Sequence, residues 1–189
     1  MIYRAAVEAD APAMGRMMVD TYMHAHKDHM PEEAWLKRKQ EWTPEVSGNA
    51  FARDIRSIAD GSDSLSCIYI AVDKIAVDKD RDEIIGLVVG GPGEAEPWPN
   101  VAEIYSLYVR SHSQRRGVGR RLLQMAVAQL AQLGMTSLII KCVTANVSAS
   151  RFYAAMGGQV IGTTEFDEEG YKLPELIFGW EDISAFPTG

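Results

Sequence analysis

Residues 111–130 read SHSQRRGVGRRLLQMAVAQL: a short polar run, then arginines crowded around two glycines, then an apolar period. Val118, Leu122, Ala126 and Leu130 recur every four residues, and Leu133 extends the stripe, as one buried face of a helix requires. Gly134 follows as a C′ residue, so the spacing predicts a helix from about Gly117 to Leu133. The first N–H groups of such a helix have no intrahelical partner and carry the positive end of its dipole, which suits a phosphate. Glycines at 117 and 119 remove the Cβ atoms that would keep an anion off the main chain. Two familiar phosphate loops fail on residues. GVGRRLL lacks both the spacing and the lysine of a Walker A loop, and a GxGxxG fingerprint starting at Gly117 would need glycine where Leu122 stands.

Working outward, VAEIYSLYVR (101–110) is apolar on both faces and reads as a central strand covered on each side. TSLIIKCVT (136–144) is the strand after the helix. In SASRFYAAM (148–156), Ala149, Phe152, Tyr153 and Met156 make a short amphipathic helix closed by Gly157. GQVIGTTEF and KLPELIFGWE finish the chain as strands. Before the loop, IYRAAV (2–7) reads as a strand, and Asp10 with Pro12 starts a helix to about Met23 by N-cap and early proline. A second helical region follows Pro31, breaks near Pro44 and resumes to Gly61. SLSCIYIAVDK and EIIGLVVGG are predicted to form a hairpin, with the second copy of the repeat IAVDKIAVDK (70–79) extending it. No linker or composition break divides the 189 residues, so one mixed α/β domain over 1–189 is expected.

Composition narrows the partners. Net charge is −7, yet the stretch from Ile104 to Thr164 has no Asp or Glu and carries seven basic residues, which leaves −14 on the rest. That pattern suits an anion site in an acidic protein, although chance clustering on a solvated face would explain the arginines alone. Overall charge and the lack of interleaved aromatics argue against nucleic acid. Cys67 and Cys142 sit in apolar strand runs and read as packing residues of a reducing compartment. With neither an apolar leader nor a membrane-length apolar run, the expected location is the cytoplasm, without membrane contact.

QRRGVG (114–119) matches, at every fixed position, the Gln/Arg-x-x-Gly-x-Gly/Ala loop of the GCN5-related N-acetyltransferase (GNAT) family. It follows the strand EIYSLYV (103–109) and precedes NVSASRFYAAMGG (146–158), which resembles that family's Asn-led helix with an aromatic pair. The resemblance covers residues 84–180 and is looser over the first 60 or so. It implies a mixed, mostly antiparallel central sheet flanked by helices, with splayed central strands. It also implies acetyl-coenzyme A as co-substrate and direct transfer to a primary amine, foremost of a small molecule. A protein N-terminal or lysine acetyltransferase and a non-catalytic acyl-coenzyme A-binding module stay open, as does a homodimer.

By the same resemblance, Gln114, Arg115, Arg116, Gly117, Val118, Gly119 and Arg120 hold the pyrophosphate. The main chain of Leu107, Tyr108 and Val109 pairs with the pantetheine arm, and the Val109 N–H meets the oxyanion. Asn146 orients the coenzyme, and Tyr153 protonates the leaving thiolate. The alternative for Tyr153 is a core aromatic. An alkyl amine is mostly protonated at neutral pH and must lose a proton before it attacks a thioester. Glu103, the single acid of its strand, stands where the histone-acetylating branch of the family carries a base. An exposed strand start or an arginine partner would make it structural, and other members use a water chain.

Three other signals are weaker. His26 and His29 stand at offsets of two and five from His24, which separates the rings on a helix, so no metal site is expected and they read as surface or acceptor-pocket residues. DKDRDE (78–83) starts like a calcium loop but has Glu83 where glycine is needed. NVS at 146 is a glycosylation triplet without a secretion signal.

Overall fold

The computed structural model describes residues 1–74 and 82–187. The strands are β1 (Ile2–Ala5), β2 (Cys67–Lys74), β3 (Asp82–Pro92), β4 (Val101–Val109), β5 (Ser137–Val143), β6 (Gln159–Glu168) and β7 (Tyr171–Trp180). The helices are α1 (Ala11–His26), α2 (Glu32–Glu41), α3 (Pro44–Ala59), α4 (Val118–Gln132) and α5 (Val147–Ala155). The strands form one sheet in the order β1-β2-β3-β4-β5-β7-β6. Every neighbouring pair is antiparallel except β4 and β5, which are parallel. The mostly antiparallel sheet, the hairpin and the central place of β4 all follow the sequence reading. The second IAVDK copy and most of DKDRDE lie outside the described residues.

The β4–β5 pairing decides the shape of the site. Val101 to Ile104 pair with Ser137 to Ile140, and there the ladder stops, while β4 runs on to Val109 and β5 to Val143. The two central strands therefore splay. A bulge helps to turn β4 at this point: Ile104 pairs with Gly90 and Ser106 with Val89, leaving Tyr105 unopposed.

Alternation along the strands sorts side chains onto two faces. Ala102 and Ile104 of β4, with Leu138, Ile140 and Cys142 of β5, pack under α4 and α5. The α4 stripe there is Val118, Leu122, Leu123, Ala126, Val127 and Leu130, while Leu133 is only half-buried at the C-cap. On the opposite face, Met14 and Met17 of α1 and Phe51 and Ile55 of α3 cover Ile68, Ile70, Ile84 and Leu87.

Two helix starts differ from expectation in their cause. Asp10 is the N-cap of α1 by position, but its carboxylate makes no cap bond, because Arg4 engages both oxygens at 2.6 and 2.8 Å. Pro44 begins α3 rather than merely breaking a helix, since Thr43 accepts from the Val46 N–H at 3.2 Å and proline occupies the first turn.

Helices α1 and α3 cross at two glycines. A Cβ on Gly15 would lie 2.5 Å from the Gly48 nitrogen and 2.8 Å from its Cα, and main chain cannot swing aside as a side-chain tip can. Gly15→Ala is expected to destabilise the protein by about 2 kcal/mol, because overpacking outweighs the ~1 kcal/mol that alanine gains in a helix. Chemical denaturation measures it, and an unchanged midpoint would show that the crossing relaxes freely.

Candidate active site

The splay leaves main-chain groups without strand partners. Arg110, just past the end of β4, donates its N–H to the Ile85 carbonyl of β3 at 2.9 Å. N–H directions alternate along a strand, so Val109 and Leu107 turn theirs the other way, into the gap facing β5. Tyr108 differs from both: its main chain pairs with Leu87, and its side chain packs on the α1 face. The Gln114 side-chain amide donates to the Val109 carbonyl at 3.0 Å and ties the loop to the open edge.

The loop then enters α4 through Gly117, whose φ of +82° lies in the left-handed region and which has nothing within 4 Å of a would-be Cβ. Arg115 shares the left-handed region at +58°. The first i→i+4 bond of α4 is Arg121 N–H to the Gly117 carbonyl, 3.0 Å, so the N–H groups of Val118, Gly119 and Arg120 have no intrahelical partner. Gly119 stands where α4, the end of β4 and α5 meet: its would-be Cβ lies 3.6 Å from Val109 Cγ2 and 3.7 Å from Phe152.

Leaving aside Arg151 on α5, the basic residues of this stretch divide in two. Arg110 pairs with Glu83 at 3.0 Å and Asp20 at 3.7 Å, and Lys141 pairs with Glu103. Arg115, Arg116, Arg120 and Arg121 are exposed and make no ion pair among the described residues. Those four remain available to an anion at the helix mouth.

Tyr153 of α5 is buried between Phe152 and Phe178, with ring centroids 5.4 and 5.6 Å away. Its hydroxyl makes no hydrogen bond among the described residues, and it is not one of the fully enclosed unpartnered polar atoms, so it opens toward the gap rather than being sealed in the core. Burial raises its pKa far above the ordinary phenol value, and Cys142 of β5 and Tyr108 of β4 add to the shift. It therefore keeps its proton and can act as a donor. Asn146 caps α5, its side-chain oxygen accepting from the Ala149 N–H at 3.1 Å, while its amide hydrogens have no partner among the described residues.

On the α1 face of the gap the structure assembles a second set of groups. Glu103 is neither at an exposed strand start nor beside an arginine: Lys141 Nζ sits 3.0 and 3.1 Å from its two oxygens. Glu168, 1% exposed, accepts from the Tyr22 hydroxyl at 2.6 Å and pairs with Arg38 Nε at 3.0 Å. The Arg38 guanidinium lies over Trp42 at 4.6 Å. His26 Nε2 is 3.4 Å from the Tyr108 hydroxyl, and burial, then His29, lowers its pKa to about 4, so the ring is neutral near pH 7.

Of the three histidines, only His26 is buried here. Among the described residues no His, Cys, Asp and Glu group could hold a metal. Glu168, Tyr22 and Arg38 were not expected from sequence. DEEG, at Glu168, reads as a solvated turn, and only the fold brings α1 and α2 against it.

An open-edged sheet beside a glycine-led helix mouth and a proton-bearing tyrosine is an acyl-transfer architecture. The chain matches the model of the Acetyltransferase (GNAT) family over residues 33–158. It is 30% identical over 127 residues to the uncharacterized N-acetyltransferase YuaI of Bacillus subtilis (strain 168), spanning 67% of this chain and 69% of that one. The fold is shared with a ribosomal-protein-alanine N-acetyltransferase from Brucella melitensis, with TM-score 0.67, 18% identity and coverage of 95% and 99% of the two chains. It is shared equally with the PaiA N-acetyltransferase of Thermoplasma acidophilum, solved in complex with coenzyme A, with TM-score 0.67, 16% identity and coverage of 94% and 96%. The protein belongs to the GNAT family and is an acyltransferase. Among the described residues no helix is long and apolar enough to cross a membrane.

Proposed function

We propose that the protein transfers the acetyl group of acetyl-coenzyme A to a primary amine of a small molecule. The observation that carries this reading is the unpaired edge of Leu107 and Val109, continuous with the open N-terminus of α4 and flanked by the proton-bearing Tyr153. These groups fit the coenzyme. Leu107 and Val109 would pair with the amide groups of its pantetheine arm as an added strand does. Gln114 to Arg120 would take the pyrophosphate with main-chain N–H groups and arginine charge, and Asn146 would offer its amide hydrogens. The bound coenzyme supplies the thioester carbonyl.

The Val109 N–H, fixed before reaction, stabilises negative charge developing on that carbonyl oxygen. Tyr153 gives its proton to the leaving sulfur. Glu103 is the carboxylate that the family resemblance makes the base, but an amine reaching it must compete with the ammonium of Lys141, which engages both oxygens.

A small-molecule acceptor is favoured by the clasp over the α1 face. Arg38–Glu168, Lys37–Glu169 at 2.9 Å and Tyr171–Glu33 at 3.3 Å bind α2 to the β6–β7 turn. That leaves less room for a polypeptide to lie across the gap.

Acetyl-coenzyme A should raise the melting temperature, by the equivalent of about 2.7 kcal/mol at a hundredfold excess over Kd. Gly117→Val should shrink that shift, because a branched side chain costs about 1–2 kcal/mol in the left-handed region and intrudes on the helix mouth. A wild-type protein that shows no shift at saturating ligand would remove this reading.

A further inference from the structure

The acceptor face carries a row of three charged groups in adjacent strands: Glu103 on β4, Lys141 on β5 and Glu175 on β7. The register places them. Glu103 pairs with Ile139 and Glu175 with Val143, so Lys141, midway between those two residues, is a diagonal neighbour of both carboxylates. Its ammonium is committed to Glu103, with both oxygens in reach. Glu175 has no ion-pair partner within 4 Å among the described residues. It is half-buried at the mouth of the splay, sharing its face with Leu173 and Val143, which pack with Tyr22 and Met30.

Counting the acceptor face by pairs leaves one charge over. Glu103 is balanced by Lys141 and Glu168 by Arg38, His26 is neutral, and Tyr22 and Tyr108 keep their protons. Glu175 remains as a carboxylate beside aromatic and apolar side chains, a setting that favours an alkylammonium, whose charge meets the carboxylate and whose chain meets the rings.

We propose that Glu175 is the catalytic base: its carboxylate receives the ammonium of an alkylamine acceptor and takes one of its protons. This rests on the acetyl transfer argued above. In that step an N–H bond of the ammonium breaks and an O–H bond forms on Glu175. The freed lone pair forms the N–C bond to the acetyl carbon as the C–S bond breaks. Tyr153 passes its proton to sulfur and recovers one from the nitrogen, and Glu175 releases its own to water. Burial raises the Glu175 pKa from its ordinary value, Lys141 pulls it back, and Glu103 raises it again. A raised pKa makes a better base near neutrality. The groups facing it are Lys141 from β5, Glu103 and Tyr108 from β4, and, across the same face, Tyr22 and His26 from α1, Arg38 from α2 and Glu168 from β6, while the Cys142 thiol lies close by on the other face of the sheet.

The test uses the full chain with acetyl-coenzyme A and three acceptors: 1,5-diaminopentane, an alanine-initiated peptide and an Nα-acetylated lysine peptide. Glu175→Gln is expected to lower kcat/KM about 100-fold or more and to abolish the acid limb of the pH–rate profile, while the acetyl-coenzyme A melting shift persists. The limb is present because activity needs the ionised carboxylate and is lost as pH falls through its raised pKa. Glu103→Gln frees Lys141 for Glu175 and removes a like charge, so the limb should move to lower pH rather than vanish. A Glu175→Gln enzyme that keeps the acid limb, or stays within threefold of wild type, overturns the proposal. Independently of any turnover, the 13C carboxyl resonance missing from Glu175→Gln should shift saturably with n-butylammonium. No shift also overturns it, whereas a shift without turnover by wild type on any acceptor would discard the transferase reading alone.

Discussion

Tyr153→Phe is expected to lower kcat by about 100-fold or more while leaving acetyl-coenzyme A affinity within a few fold and the melting temperature unchanged or slightly higher. The asymmetry comes from the hydroxyl's surroundings. A phenol packed between Phe152 and Phe178 whose hydroxyl makes no hydrogen bond among the described residues adds nothing to folding that phenylalanine would lose. Its ring, by contrast, stays as a core element. A mutant with wild-type turnover and lowered stability would reverse the assignment and return Tyr153 to packing. Because burial holds its pKa far above neutrality, the phenol cannot act first as a base, and in the proposed transfer its proton would be replaced from the acceptor nitrogen.

Glu168→Ala should be the most damaging change to stability on the acceptor side. The carboxylate is 1% exposed and serves two partners from different helices, the Tyr22 hydroxyl and the Arg38 guanidinium. Removing one member of a buried pair typically costs about 3–5 kcal/mol, since the other charge is left in a poor medium. Arg38 keeps a 3.7 Å contact with Glu169 and is 26% exposed, which favours the lower end, about 3 kcal/mol. In a domain of this size that corresponds to a melting temperature lower by roughly 6–12 °C. Glu168→Gln, which can still accept from Tyr22, should lose less. A loss below about 1 kcal/mol in the alanine variant would mean that water replaces the carboxylate.

The two sides of the site were unequally legible in the sequence. The coenzyme side is local. Gly117 and Gly119, the apolar period of α4, the Asn146 cap and the Tyr153 stripe all lie within 45 residues, and each has a backbone or periodicity signature. The acceptor side is assembled from distant segments. Glu168 and Tyr22 are 146 positions apart, and nothing in either neighbourhood announces the other. Glu175 sits in KLPELIFGWE, a run readable as a strand, but its isolation depends on Lys141 turning to Glu103, a choice made across three strands. The acid-free block misled in part, because Arg110 and Lys141 find carboxylates outside it, leaving the helix mouth to the arginines from 115 to 121.

The closed end of the splay acts on the chemistry as the pivot of a lever. Four residue pairs join β4 to β5, and just beneath them Thr136 is clasped to the preceding turn, its N–H donating to the Asn100 carbonyl and its hydroxyl to the Pro99 carbonyl, both at 2.9 Å. Val109 lies five residues beyond the last pair, about 17 Å along the strand, so each degree of rotation at the pivot would carry its N–H about 0.3 Å. A displacement near 1 Å costs about a hundredfold in rate. With Val109 as the oxyanion donor proposed above, substitutions at Asn100 or Thr136 are therefore expected to lower turnover while touching neither substrate, to the extent that the β3 pairing of Val109 lets the strand end move.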